Sequence, residues 1–384
     1  MTVALKDKRN CCGCTACKEV CPHDAIEMRT DCLGFFYPVI DNKRCINCGL
    51  CERVCQFNED YNLSSNDSLR SVYAMRSMNS DDLLKSQSGA AFYLIANSLI
   101  AEGYYVCGAG FDKDFTARHK IVNNVTDLQE LRGSKYVQSN LQGIYTQVKN
   151  LLNDNCKVLF TGTPCQVAGL LSVLSKTQKQ NLLLIDIVCH CVSSPRAWQM
   201  YVKWVEKKYD KKIMRVNYRD KRFGWKSCRE TLYFNDGSEI TRDSFRHFMM
   251  SSSHFATRSS CANCPFTNLK RPGDITIGDF WGWEKFHDEF NDNQGISLVL
   301  VNSSKGEKII NRVLSKVSSV ESNMKECHQP QLEHPISIDL NAQKRFVDLM
   351  EIGDFNKIMK VFADEGIKYK LARFKNRILN KLNR

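Results

Sequence analysis

Residues 11–22, CCGCTACKEVCP, and residues 45–56, CINCGLCERVCQ, share one spacing of cysteines. Cys11, Cys14, Cys17 and Cys21 recur 34 positions later as Cys45, Cys48, Cys51 and Cys55, so each run reads C-x2-C-x2-C-x3-C. Three thiolates on so tight a turn reach three irons of one 4Fe-4S cubane, and the fourth, too far along the chain to close that cube, ligates the other cluster. Crossing over, Cys11, Cys14, Cys17 and Cys55 are expected to hold one cluster, and Cys45, Cys48, Cys51 and Cys21 the second. Zinc ribbons and disulfides are the competing readings, but zinc sites pair two short spacings rather than presenting four thiolates in one run and repeating them. Pro22 follows the first run and Gln56 the second, a change that removes no ligand. Cys12 and Cys32 fall outside the spacing and read as free thiols.

Outward from these runs, a chain of 384 residues with 43% apolar residues is long enough for two or three domains. The opening MTVALKDKRN has no apolar signal core, and no later stretch approaches the roughly 20 apolar residues of a spanning helix. A cytoplasmic location is therefore expected, where clustered thiols bind metal rather than form disulfides. Formal charge is +12, but Lys368, Lys370, Arg373, Lys375, Arg377, Lys381 and Arg384 supply seven of it, leaving about +5 on the body. That balance argues against a nucleic-acid partner.

Between the two runs, Phe35 to Ile40 reads as a β segment, so the first part is an α+β ferredoxin-like two-cluster domain, placed over residues 1–62. A linker rich in Asn, Asp and Ser leads to residue 71. From Ala90 a buried helix closes at Gly103 and a strand runs into Gly108-Ala109-Gly110. Lys157 to Phe160 is a short apolar strand ending in Thr161-Gly162-Thr163-Pro164-Cys165-Gln166, and Leu182 to Val188 is another, ending in Cys189-His190-Cys191. Strands alternating with helices predict a larger α/β domain with a mostly parallel or mixed sheet, whose ligands sit beyond the carboxyl ends of the strands. Two strands end in cysteines at that edge. In the tail, Ile367, Leu371, Phe374, Ile378 and Leu382 recur at helical spacing between the basic residues. A basic amphipathic helix over 351–384 follows, which either touches an anionic membrane surface peripherally or packs back on its own domain.

The chain resembles the coenzyme F-420 hydrogenase/dehydrogenase beta subunit family, in the form with a fused two-cluster ferredoxin domain. The residues that carry the resemblance are Ser88-Gly89, Arg132 to Ser139, Gly162-Thr163-Pro164-Cys165-Gln166, Cys189-His190, Arg219-Asp220-Lys221, Cys261-x2-Cys264 and Gly278-Asp279-Phe280-Trp281-Gly282. It implies a flavin-binding domain over 72–350, after the linker at 63–71. It also implies an oxidoreductase whose FAD exchanges two electrons with an organic substrate or a deazaflavin-type coenzyme and single electrons with iron-sulfur clusters. A redox partner protein is the other implied partner. A non-catalytic electron-transfer adaptor in a larger complex is the alternative. Cys191 and Ser193 stand where members tend to show glycine and proline.

Cys165, Cys189, Cys261 and Cys264 come from three loops and suit a third 4Fe-4S cluster. Buried packing or zinc are the alternatives, with Cys191 as a substitute ligand. Ser134, Lys135, Tyr136, Gln138, Thr161, Gly162 and Thr163 are candidate flavin contacts, since small residues admit a ligand to the backbone, hydroxyls and a lysine meet phosphate, and tyrosine stacks. Asp279 and Trp281 join them by the resemblance alone. His190, beside Cys189, is the candidate proton donor to flavin or substrate.

Overall fold

A computed structural model describes residues 7–58, 69–243, 245, 254–363, 365–367 and 371. The cysteine runs each wrap into one helical turn, α1 (Ala16–Glu19) and α2 (Leu50–Arg53), flanking a hairpin of β1 (Ile26–Thr30) and β2 (Phe36–Ile40). The repeat is legible in the backbone. Gly13 and Asn47, and likewise Thr15 and Gly49, hold matching positions and all take positive φ (70°, 56°, 68° and 72°), the left-handed turns that curl each run around its cavity.

The larger part is built on an eight-stranded mixed sheet. Its strands are β3 (Ser71–Arg76), β4 (Tyr105–Phe111), β5 (Ala117–Val122), β6 (Val158–Gly162), β7 (Leu182–Ile187), β11 (Ile275–Asp279), β12 (Ser297–Val301) and β13 (Ser318–Ser322), in the order β13-β3-β12-β11-β7-β6-β4-β5. The central β11, β7, β6 and β4 are parallel, and antiparallel strands close both edges. A second, three-stranded antiparallel sheet pairs β8 (Ile213–Asn217), β9 (Glu230–Phe234) and β10 (Glu239–Arg242).

Because side chains alternate across a strand, Leu159, Leu183 and Ile185 face one core while Val158, Phe160, Leu182 and Leu184 face another. After the short α3 (Ser80–Lys85), α4 (Ala91–Ile100) covers the first core together with α5 (Val125–Leu131) and the helix Ser304–Leu314. The second is covered by α6 (Ile144–Asn153) and α7 (Pro164–Val173), and Ala16 and Val54 of the cysteine-rich unit belong to the same cluster. That unit is thus docked by apolar burial on the α6–α7 layer. Its hairpin residues Leu33, Phe35 and Tyr37 join a third core with α8 (Pro195–Tyr209).

The start of the expected terminal helix takes a different form. Residue 351 lies inside the helix Leu340–Ile352, which ends at Gly353 with φ 79°, and a separate helix, Phe355–Phe362, follows. Glycine in the left-handed C-cap position stops the first helix, and Asp354 caps the second. Phe355, Ile358 and Met359 are buried with α8, so this stretch belongs to the domain core. The basic part of the tail, residues 368–370 and 372–384, lies outside the described residues. Among the described residues no helix is long and apolar enough to cross a membrane.

Candidate metal and cofactor centre

Two cavities open in the cysteine-rich unit. Cys11, Cys14, Cys17 and Cys55 line one of about 540 Å³, and Cys21, Cys45, Cys48 and Cys51 line the other, of about 560 Å³; Cys51 borders both. The fourth cysteine of each run therefore faces the cavity of the opposite run. Burial, and after it the neighbouring Cys11 and Cys55, raises the Cys17 thiol to about 12. Thiolates gathered in this way repel one another until cations stand between them, and iron supplies that charge.

The unit meets the α/β domain through polar contacts that its sequence did not signal. Gln56, the residue in place of a second proline, is 5% exposed and donates from Nε2 to the Cys165 carbonyl at 2.7 Å. Cys12 sits beside it, 4.0 Å from Gln56 Oε1, and its carbonyl accepts from Gln138 Nε2 at 2.8 Å. Arg258, 1% exposed, reaches in from the other side: Nε donates to the Cys11 carbonyl at 2.7 Å, one terminal nitrogen to Gln138 Oε1 at 2.9 Å and the other to the Phe36 carbonyl at 2.8 Å. Its guanidinium also lies over the Tyr37 ring at 4.4 Å. Cys12 is thus a buried free thiol, as its place outside the spacing predicts, and its backbone stands at the junction.

The strand-end cysteines converge. Thr163-Pro164-Cys165-Gln166 forms a capping box, with proline at the first helical position, so β6 hands directly into α7 and Cys165 is held at that turn. Cys189 follows β7, and Cys261 and Cys264 lie on the turn at Ser259–Asn263 and just after it. Burial, then the charges of Cys261, Cys165 and Cys264, push the Cys189 thiol well up. Burial lifts Cys264 to about 11, with Cys165 the next contributor. All four thiols therefore sense one another. Among the described residues, none of these cysteine sets brings three donor atoms within 4.8 Å of one another, whereas a tetrahedral zinc with Zn–S of about 2.3 Å would draw its sulfurs to roughly 3.8 Å.

Arg271 fixes this arrangement. It is 1% exposed and pairs with the fully buried Asp186 of β7 at 2.9 Å. The same guanidinium donates to the Phe266 carbonyl at 2.7 Å and the Ile187 carbonyl at 3.0 Å. One side chain thereby ties the Cys261–Cys264 loop to the strand that delivers Cys189.

The expected flavin residues fall into separate groups. Tyr136 hydrogen-bonds Arg219 and meets the Tyr218 ring edge-on at 5.7 Å. Arg219 pairs with Asp279 at 2.5 Å, and Asp279 also accepts from Trp225 Nε1 at 2.9 Å and from Ser88 Oγ. Trp225 and Trp281 stack at 4.8 Å with their planes 4° apart. Ser88 can stand there because its neighbour is Gly89, where a β-carbon would fall 2.0 Å from the Met75 carbonyl oxygen. Thr161, Gly162 and Thr163 end β6 at the same carboxyl edge of the sheet. Thr161 Oγ1 donates to the Cys107 carbonyl at 3.0 Å, and Thr163 Oγ1 lies 3.2 Å from Cys165 Sγ. Gln138 is engaged at the junction instead. Lys135 bends back onto the end of α5, donating to the Glu130 and Arg132 carbonyls at 3.1 and 2.8 Å, and Ser134 lies half-buried beside it. Among the described residues Tyr218 Oη and Arg219 Nε are buried without a hydrogen-bond partner, so polar capacity remains beside Tyr136 for a bound group.

His190 points elsewhere. Its Nε2 lies 2.7 Å from His254 Nε2 and its Nδ1 2.7 Å from the Gln331 amide, and burial together with His254 pulls it down to about 4.

Paired four-cysteine cavities docked on a mixed α/β sheet, with further cysteines at its strand ends, define an iron-sulfur electron-transfer protein of the oxidoreductase class. Residues 10–58 match the family model of the 4Fe-4S dicluster domain. Residues 155–326 match the family model for the C terminus of the beta subunit of coenzyme F420 hydrogenase/dehydrogenase. Residues 155–326 thus belong to the coenzyme F420 hydrogenase/dehydrogenase beta subunit family, here fused to an N-terminal dicluster ferredoxin domain at residues 10–58. It is also similar, at 16% identity and a TM-score of 0.47, to a chain in a solved structure of the F420-reducing NiFe hydrogenase complex from Methanosarcina barkeri. That match covers 78% of this chain and 94% of that one. No curated protein matches the sequence.

Proposed function

We propose that the chain is an iron-sulfur flavoprotein oxidoreductase, passing electrons between a redox partner protein and an organic substrate or deazaflavin-type coenzyme. Cys11, Cys14, Cys17 and Cys55 hold one 4Fe-4S cluster, Cys21, Cys45, Cys48 and Cys51 a second, and Cys165, Cys189, Cys261 and Cys264 a third. When bound, cubanes supply one-electron steps and FAD supplies the conversion between one and two electrons. The observation that carries this reading is the Gln56–Cys165 contact, which sets the loop after Cys55 against a cysteine of the strand-end set. Arg258 clamps the same junction, and Arg271 holds the strand-end loops at the edge where Tyr136, Asp279 and Trp281 gather.

For a flavin, Tyr136, Trp281 and Trp225 offer aromatic surface and Arg219 a cation. Thr161, Gly162 and Thr163 offer the small, hydroxyl-bearing edge that phosphates need. Anaerobically purified full-length protein should contain about twelve irons per chain, as three cubanes require, and release FAD on denaturation. Cys264→Ser should lower iron to about eight and leave the ferredoxin-unit signals in electron paramagnetic resonance unchanged. Iron without any flavin, before or after reconstitution with FAD, would leave the adaptor function; twelve irons in the variant would remove the third cluster.

A further inference from the structure

We propose that His190, Cys191 and His254 form a mononuclear site for a zinc-class divalent ion, next to the strand-end cysteine set but built from different donors. Among the described residues this is the one group whose three donor atoms all lie within 4.8 Å of one another. His254 is buried, and His190 and Cys191 are half-buried.

Both imidazoles are held from behind, and His254 in the way metal-ligating histidines are, by donating its other ring N–H to a carbonyl. His254 Nδ1 faces the Ser337 carbonyl at 2.9 Å, which fixes the proton there and leaves Nε2 as the accepting nitrogen. His190 Nδ1 faces the Gln331 side-chain amide at 2.7 Å. The Gln331 amide nitrogen donates to His190 Nδ1, so His190 carries its proton on Nε2 and donates it to His254 Nε2; an ion bound between the rings would displace that proton. The two Nε2 atoms face each other 2.7 Å apart, with the Cys191 sulfur within 4.8 Å of both. An ion at about 2.0–2.1 Å from each nitrogen would part them to roughly 3.3 Å, a small ring movement.

His254 is held at φ 46°, a conformation a non-glycine residue keeps only where its surroundings impose it. Two imidazoles and one thiolate favour a borderline ion over magnesium or calcium. Three protein ligands leave a fourth position for water or an anionic group of a substrate, the arrangement of catalytic rather than structural zinc. Cys191 and His254 are what build this site around the Cys-His pair.

The test uses the full chain, produced anaerobically with zinc in the medium. Elemental analysis should find about one zinc per chain besides the iron, and absorption at the zinc edge should show nitrogen near 2.0–2.1 Å with one sulfur near 2.3 Å. His254→Gln and Cys191→Ser should each lose the zinc and keep the wild-type iron content and iron-sulfur spectrum, which also reports that they fold. Zinc below about a tenth of an equivalent after loading would overturn the proposal. So would zinc retained in both variants, or a zinc shell of four sulfurs, which would place the ion among the cysteine sets instead.

Discussion

Gln56 donates a hydrogen bond of 2.7 Å to the main-chain carbonyl of Cys165, across 109 residues of sequence. A proline there, as after Cys21, would have no such donor. Gln56, at the end of the second cysteine run, is therefore one of the contacts by which the ferredoxin unit grips the sheet, beside Arg258, Gln138 and the apolar burial of Ala16 and Val54.

Replacing Gln56 with Leu should leave that buried carbonyl unpaired and cost about 1–2 kcal/mol. Thermal melting of the anaerobic protein should show the lower midpoint with the iron content unchanged. Loss of iron from the cavity of Cys11, Cys14, Cys17 and Cys55 would mean instead that Gln56 shapes the ligand loop itself.

Crossed ligation makes a pairing prediction. Cys21→Ser should share the spectrum and iron content of Cys48→Ser, and Cys55→Ser those of Cys14→Ser, each losing about four irons. If Cys21→Ser resembled Cys14→Ser, each run would close its own cubane.

The Arg271–Asp186 pair is almost wholly withdrawn from water, so removing one partner strands the other. Arg271→Met or Asp186→Asn alone should destabilise the protein by about 3–5 kcal/mol, and the double variant Arg271→Met/Asp186→Leu by less than either. Denaturation midpoints measure this. Equal losses in single and double variants would show that the hydrogen bonds from Arg271 to the Phe266 and Ile187 carbonyls dominate over the ion pair.

His119 gives a pH dependence with a definite sign. It is buried, with Nε2 2.9 Å from the Thr161 carbonyl and Nδ1 2.9 Å from Ser139 Oγ, and burial pulls it down to about 4. The unfolded chain, near 6.5, then binds more protons between those values, so stability is full above 6.5 and falls as pH drops toward 4. Between pH 7.5 and 5 the loss from this group should be about 2 kcal/mol. His119→Gln should show a correspondingly flatter profile, and an unchanged slope would assign the acid sensitivity to other groups.

The sequence by itself determined the two cysteine runs and the order of helices and strands, because both are written in short-range spacing. Thiolate intervals follow the size of a cubane, and apolar runs bounded by Gly, Thr and Pro follow the pleat of a buried strand. The capping box at Thr163 to Gln166 is as local, and it sets Cys165 on the sheet edge. Only the tertiary structure decided which distant groups meet. Arg258 and Cys11 are 247 residues apart, His190 and His254 are 64 apart, and no periodicity links either pair. Lys135 looks free to bind phosphate until the end of α5 is placed beside it and takes its ammonium for two carbonyls. Residues near 351 look like the start of a tail until α8 buries their apolar face. Periodicity records what one element requires of itself; the partner of a buried polar group is chosen by whichever segment the packed layers bring within about 3 Å, the reach of a hydrogen bond.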